Sequence, residues 1–223
     1  MSKGLTLDAV VFDVDGTLFD TENLSRGTWF EMGTKMNCLP VWERYEEFIG
    51  RPRPDIRDHL REIMGPDFPA EDFLLTCSRR SQEKMEQNGV PTKPGVREIL
   101  DFLAQRHIPM ALATSTGGER TARRLELTGL GHYFREIVTG DQIHRGKPDP
   151  QIYQVACQRL GVDPALALAV EDSRNGILSA TGAGLPTVMI PDLIPPDAEL
   201  EEKIFRRFDS LTELRDFLAE ELQ

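Results

Sequence analysis

LDAVVFDVDGTLFDTE, residues 7–22, opens as an apolar run and closes by presenting Asp13 and Asp15 two positions apart, with Gly16 directly behind them. A short apolar run bounded by a turn signal reads as a strand buried on both faces, the kind that parallel sheets use. In an extended chain residues i and i+2 share a face, so the two carboxylates sit close together at the strand's mouth and repel each other. Something must offset that charge.

Outward from this stretch, apolar runs alternate with segments of helical period, the pattern of a parallel sheet covered by helices. The further strand candidates are IPMALAT from Ile108, EIV at 136–138, ALALAVE from Ala165 and PTVMI from Pro186. Between them GVREILDFLAQRH, from Gly95, repeats its apolar residues at Val96, Ile99, Leu100 and Leu103, and PQIYQVACQRLG ends on Gly161 as a helix C-cap does. One segment breaks the alternation. From about 19 to 90 there is no strand run, only amphipathic stretches at 22–36, 41–48, 54–64 and 70–87, punctuated by Gly-Arg-Pro-Arg-Pro at 50–54 and Gly-Pro-Asp-Phe-Pro at 65–69. The expected organisation is an α/β core of residues 1–18 and 91–223 with an inserted helical domain of residues 19–90.

Composition narrows the function classes. A chain of 223 residues buries a sizeable core, and its net charge of -11 repels phosphate backbones, so no nucleic-acid partner is expected. The first residues carry neither a signal peptide nor a spanning apolar segment, so no membrane association is expected either. Cys38, Cys77 and Cys157 are odd in number and widely spaced, which fits reduced packing residues in a cytoplasmic chain. A monomer or weak homo-oligomer is the expected state.

An open parallel sheet binds its ligand at the carboxyl ends of its strands. Asp13 and Asp15 fall there, as do Thr114 with Ser115 and the Glu171-Asp172 pair, while Lys147 stands in GKPDP just before a helix. Acidic positions gathered at one place would repel as bare charges, and a hard divalent cation such as Mg²⁺ relieves the repulsion through oxygen ligands. Each piece alone has a plainer reading. Asp-Val-Asp-Gly suits a turn, Thr114 a helix cap, Lys147 a solvated charge, and Glu171-Asp172 before Ser173 a helix N-terminus. A calcium loop of the EF-hand kind fails, because it needs a ligand and a glycine where this chain has Thr17 and Leu18. The ordered combination carries the weight.

That combination resembles the haloacid dehalogenase superfamily, whose four motifs match Asp13-Val14-Asp15-Gly16-Thr17, Thr114 after an apolar strand, Lys147 in GKPDP, and Glu171-Asp172. The resemblance spans essentially the whole chain, and the helical insert is similar to the first cap class of that superfamily, found in β-phosphoglucomutase and phosphoglycolate phosphatase relatives. It implies a Rossmann-like core under a mobile cap whose closure excludes bulk water. It also implies Asp13 as nucleophile on phosphorus, Asp15 as general acid and then base, and Thr114, Ser115 and Lys147 as phosphate and charge holders. Mg²⁺ would be held by Asp13, the backbone carbonyl of Asp15 and Asp172, with Glu171 as a second ligand or as an acceptor for metal-bound water.

Departures from relatives narrow the activity. Dehalogenases proper lack an aspartate two residues after the nucleophile, so Asp15 points to phosphoryl transfer. The β-phosphoglucomutases carry a histidine ten residues beyond the position of Asp15, where this chain has Ser25, and phosphonate hydrolases use a cap lysine absent from 19–32. The expected activity is Mg²⁺-dependent hydrolysis of a small phosphate ester, such as a sugar phosphate or nucleotide. A phosphosugar mutase is the alternative, and a phosphate-binding module without turnover a third reading. Glu22, Ser25, Trp29 and Arg53 occupy positions similar to the substrate-facing surface of related caps, although Trp29 and Phe30 suit cap core equally. Arg57 and Arg61 read as a solvated stripe paired with neighbouring acids.

Overall fold

The structure is a computed structural model that describes residues 6–49 and 53–222. The break expected at Gly50, Arg51 and Pro52, and the first residues Met1 to Gly4, lie outside the described residues. The chain divides into two compact units, one holding the chain up to Phe19 and from Thr92 onward, the other Asp20–Pro91.

The first unit is built on six parallel strands, β1 (Ala9–Phe12), β2 (Met110–Thr114), β3 (Glu136–Thr139), β4 (Ala167–Glu171), β5 (Thr187–Met189) and β6 (Arg206–Arg207), in the order β3-β2-β1-β4-β5-β6. Every residue of β1, β2 and β4 is buried. This accounts for their near-continuous apolar sequences, since helices cover both faces of such a sheet. From β1 the chain winds outward to β2 and β3, then returns to build β4, β5 and β6 on the other side. The order reverses at β1 and β4, and in open parallel sheets such a reversal marks the place where ligands bind beyond the strand ends. β6 escapes a reading by apolar runs because it consists of two exposed arginines. A short, charged edge strand of this kind discourages pairing with other chains.

The helices of this unit are α5 (Val96–Gln105), α6 (Gly118–Thr128), α7 (Gln151–Leu160), α8 (Arg174–Gly182), α9 (Ala198–Glu201) and α10 (Leu211–Glu221). Helix α7 lays Ile152, Tyr153, Ala156, Cys157 and Leu160 against one face of the sheet, where Ala9 and Val11, Ala111 and Ala113, and Ala167 and Ala169 supply the alternate positions of three strands. Alanine dominates that face, so the helix approaches closely. Gly161 ends α7 in the left-handed region at φ 75°, as its sequence position indicated.

The second unit contains α1 (Thr21–Lys35), α2 (Leu39–Glu43), α3 (Arg53–Met64) and α4 (Ala70–Asn88), with a 3-10 turn at Tyr45–Phe48. Among its described residues there is no named strand. The stretch expected as one helix over 41–48 divides at Arg44 into α2 and the 3-10 turn. Its core is aromatic. Trp29 packs against Tyr45, Phe48 and Phe73 with ring centroids 5.1, 5.1 and 5.2 Å apart. The pairs with Tyr45 and Phe73 are edge-to-face, a geometry that adds to the area they bury.

Candidate active site

Register builds the site. β1 and β4 pair with Phe12 beside Val170, and Asp13 N–H donates to the Val170 carbonyl at 2.9 Å, so the residues that follow emerge side by side at the reversal point. Asp13, Glu171 and Asp172 thereby bring one carboxylate oxygen each within 4.8 Å of one another. Gly16 is what lets the first loop close on the last. It adopts φ +86°, and a Cβ there would fall 2.2 Å from Asp172 Oδ2, so only glycine admits the carboxylate. Thr17 Oγ1 donates to the same side chain at 3.3 Å.

Lys147 ties the cluster together. Its ammonium, 6% exposed, donates to Asp13 Oδ1 at 2.5 Å and to Glu171 Oε1 at 2.6 Å. The loop that delivers it is held by Gln151, whose Oε1 accepts from the backbone N–H groups of His144 and Arg145. Glu171 is fully buried and both its oxygens are engaged: Oε1 also accepts from the Tyr153 hydroxyl at 2.7 Å, and Oε2 from Asp172 N–H, Ser173 N–H and Ser173 Oγ. Ser173 also caps α8, its Oγ accepting from Gly176 N–H. Gly176 must be glycine, because a Cβ there would overlap the Glu171 carboxylate at 1.9 Å.

The electrostatics follow from burial. Desolvation pushes the Asp13 carboxyl up to about 8 against the pull of Lys147, and the charge of Glu171 pushes the same way. Burial also opposes the Lys147 ammonium, but Asp13 and Glu171 outweigh it and hold Lys147 above the ordinary lysine value. Burial and the adjacent Glu171 raise the Tyr153 hydroxyl. Asp13 and Glu171 thus share one ammonium, and Asp172 stands beside them. The excess of hard oxygen donors, gathered where a glycine makes room, suits a divalent cation.

Asp15 points elsewhere. Its Oδ2 accepts from Thr116 Oγ1 at 2.7 Å and its Oδ1 from the Arg124 guanidinium on α6. Thr114 is buried at the end of β2, and its Oγ1 accepts from Thr116 N–H at 3.1 Å, which turns the chain toward α6. Ser115 is exposed beside it. Gly140 faces the backbone of Ser115, and a Cβ there would lie 2.3 Å from the Ser115 carbonyl oxygen.

The residues expected to face substrate from the helical unit divide. Trp29, expected as a substrate contact, is instead 6% exposed, with its ring enclosed by three aromatic neighbours; packing claims the surface that a ligand would need. Glu22 is half-buried and accepts from the Tyr45 hydroxyl at 3.1 Å. Arg53 is exposed and donates to Glu71 at 2.8 Å, so its guanidinium has an internal partner. Arg57 and Arg61 both lie near Asp58 on an exposed helix face.

Sequence reading missed Thr116, Arg124 and Tyr153. Tyr153 carried a faint signal as an apolar-face residue with a polar tip, six residues after Lys147. Arg124 carried none, being one of several arginines on an amphipathic helix.

Comparison with known proteins agrees with this geometry. The family model described as haloacid dehalogenase-like hydrolase matches residues 10–190. The phosphorylated carbohydrates phosphatase of Thermotoga maritima is 35% identical over 196 residues, covering 82% of this chain and 84% of that protein. The validoxylamine A 7'-phosphate phosphatase of Streptomyces hygroscopicus subsp. limoneus is 30% identical, with 92% and 94% covered. Among solved structures, a mutant of CbbY from Rhodobacter sphaeroides in complex with xylulose-(1,5)bisphosphate superposes with a TM-score of 0.77 at 28% identity, covering 93% of this chain and 96% of that one. A sheet reversing at β1 and β4, a carboxylate cluster at that reversal and these matches lead to one conclusion: the chain is an enzyme that belongs to the haloacid dehalogenase-like hydrolase family.

Proposed function

We propose that the protein is a phosphatase that hydrolyses a small phosphomonoester through a phosphorylated Asp13. The observation that carries the reading is the convergence of Asp13, Lys147 and Asp172 at the reversal of the sheet, with a second, separately held aspartate two residues beyond the first.

In the first half-reaction an Asp13 oxygen attacks phosphorus, the bond from phosphorus to the ester oxygen breaks, and the departing alkoxide takes a proton from Asp15. In the second, Asp15 accepts a proton from water as the water oxygen attacks phosphorus. The bond to Asp13 then breaks and inorganic phosphate leaves. Lys147 balances charge on Asp13 and on the phosphoryl group, and the Thr114–Ser115 turn holds phosphate oxygens. Mg²⁺, with Asp13, Asp172 and the Asp15 backbone carbonyl as its protein ligands, would offset the repulsion between a dianionic phosphate and the carboxylates. Glu171, whose two oxygens already accept hydrogen bonds, supports the site from behind by orienting Lys147.

The similarity to a phosphorylated carbohydrates phosphatase and a validoxylamine A 7'-phosphate phosphatase supports a phosphorylated carbohydrate or related small molecule as substrate. The helical unit is the natural carrier of substrate choice, with Glu22, Ser25 and Arg53 as its candidate residues. A cytoplasmic location accords with three unpaired cysteines, all buried. Among the described residues no helix is long and apolar enough to cross a membrane.

The test is a panel of phosphate esters with Mg²⁺, read as inorganic phosphate, with Asp13→Ala alongside. Phosphate release by wild type and none by the variant supports the proposal. Interconversion of glucose 1-phosphate and 6-phosphate without phosphate release would favour the mutase alternative.

A further inference from the structure

We infer that Arg124 is a positioning residue that, with Thr116, fixes the carboxylate of Asp15 for proton transfer. The inference rests on the reading of Asp15 as proton donor and acceptor. Arg124 lies on α6 with its side chain 14% exposed, and its guanidinium donates to one Asp15 oxygen while Thr116 donates to the other at 2.7 Å. The two donors come from the loop and the helix that follow β2, one for each carboxylate oxygen.

A carboxylate on a short side chain has two free torsions, and a general acid must hold its proton within hydrogen-bond reach of one leaving oxygen. Asp15 also neighbours a cluster of three carboxylates that suits a cation. A loosened Asp15 side chain that turned toward that cation as a further oxygen ligand would serve neither as acid nor as base. An arginine suits the anchoring task, because its planar fork is pre-organised and its charge favours the ionised Asp15 that takes a proton from water in the second half-reaction. Among the described residues Arg124 pairs with Asp15, whereas Lys147 pairs with Asp13 and Glu171, which separates their roles.

Two substrates separate the steps. p-Nitrophenyl phosphate expels a phenolate that needs no proton, so its first-turnover burst reports attack by Asp13. An alkyl phosphate needs the Asp15 proton, and breakdown of the phosphorylated enzyme needs Asp15 with either substrate. In the Mg²⁺-loaded whole chain, Arg124→Ala is expected to lower kcat for an alkyl phosphate about 10- to 100-fold, leave the p-nitrophenolate burst rate within about threefold, and be partly rescued by Arg124→Lys. Asp15→Asn tests the underlying reading on its own. If Asp15→Asn abolishes alkyl-phosphate turnover while Arg124→Ala changes it less than about threefold, the inference fails and the reading of Asp15 stands. If Asp15→Asn turns over normally, both fall. A burst that drops as far as turnover, with no rescue by lysine, makes Arg124 a structural residue and overturns the inference.

Discussion

Two charge clusters in this molecule use the same residue types to opposite ends. In the helical unit, Glu31 on α1 is ringed by Lys35 at 2.7 Å, Lys84 at 2.9 Å and Arg80 at 3.2 Å. Hydrogen bonds from Lys35 and Lys84 hold its carboxyl down, at about 2. At the end of β1, Asp13 shares one buried ammonium with Glu171 and lies beside Asp172, and burial pushes it up to about 8. One carboxylate with three cations on a partly wetted surface is complete as it stands. Two buried carboxylates that share one ammonium, with a third, partly buried one beside them, call for further positive charge or a proton. Where the surplus is negative and buried, the fold has built a site; where it is positive and wet, it has built a brace.

The comparison breaks first at Asp13. Asp13→Asn is expected to lower phosphate release by roughly 10⁴-fold or more, as loss of a nucleophile does, and yet to leave the melting temperature of the metal-free protein unchanged or higher, since the amide has no ionised form for burial to oppose. Kinetics and a thermal melt on the same preparation check both halves. A melting temperature that falls sharply would show that the carboxylates are balanced without a cation.

Next in size is Lys147→Met. It strands Asp13 and Glu171 without their shared partner in a dry place, which costs about 3–5 kcal/mol, read by denaturant unfolding. The same substitution at Lys84 leaves Glu31 with two other cations, and its midpoint is expected to move far less.

The two clusters also titrate with opposite sign. Asp13 is raised above its unfolded value of 3.8, so its contribution to the stability of the metal-free protein is full below that pH and is lost as pH rises toward about 8. Glu31 is lowered from 4.5, so its contribution is full above that value and is lost as pH falls toward about 2. Added Mg²⁺ competes with the proton on Asp13 and should therefore stabilise more at pH 8 than at pH 6, reaching about 2.7 kcal/mol at a hundredfold excess over its Kd. Equal stabilisation at the two pH values, followed by thermal shift, would place the cation away from Asp13. The smallest effect belongs to Glu31→Gln, with a melting shift under about 4 °C at neutral pH and unchanged turnover.

Much of this was legible before any coordinates. The parallel sheet and the helical insert follow from period and punctuation, and both are present. The strand-end residues Asp13, Thr114 and Glu171 stood out because each ends an apolar run, a local signature. β6 did not, because two exposed arginines make no apolar run. Trp29 was ambiguous, since an aromatic residue on an amphipathic helix fits a core and a ligand surface alike until its neighbours are known. Arg124 was invisible, as its only distinction is a partner 109 residues away.

By itself the sequence determined which elements form and which residues end them, because hydrophobic period, glycine and proline act over a few residues. Tertiary structure alone decided which charges share a partner, that Lys147 bridges Asp13 and Glu171, that Tyr153 backs Glu171, and that Asp15 turns to Arg124. The reason is physical: an ion pair depends on a few ångströms of space and on how much water is excluded from it, and neither quantity is written in the order of the residues.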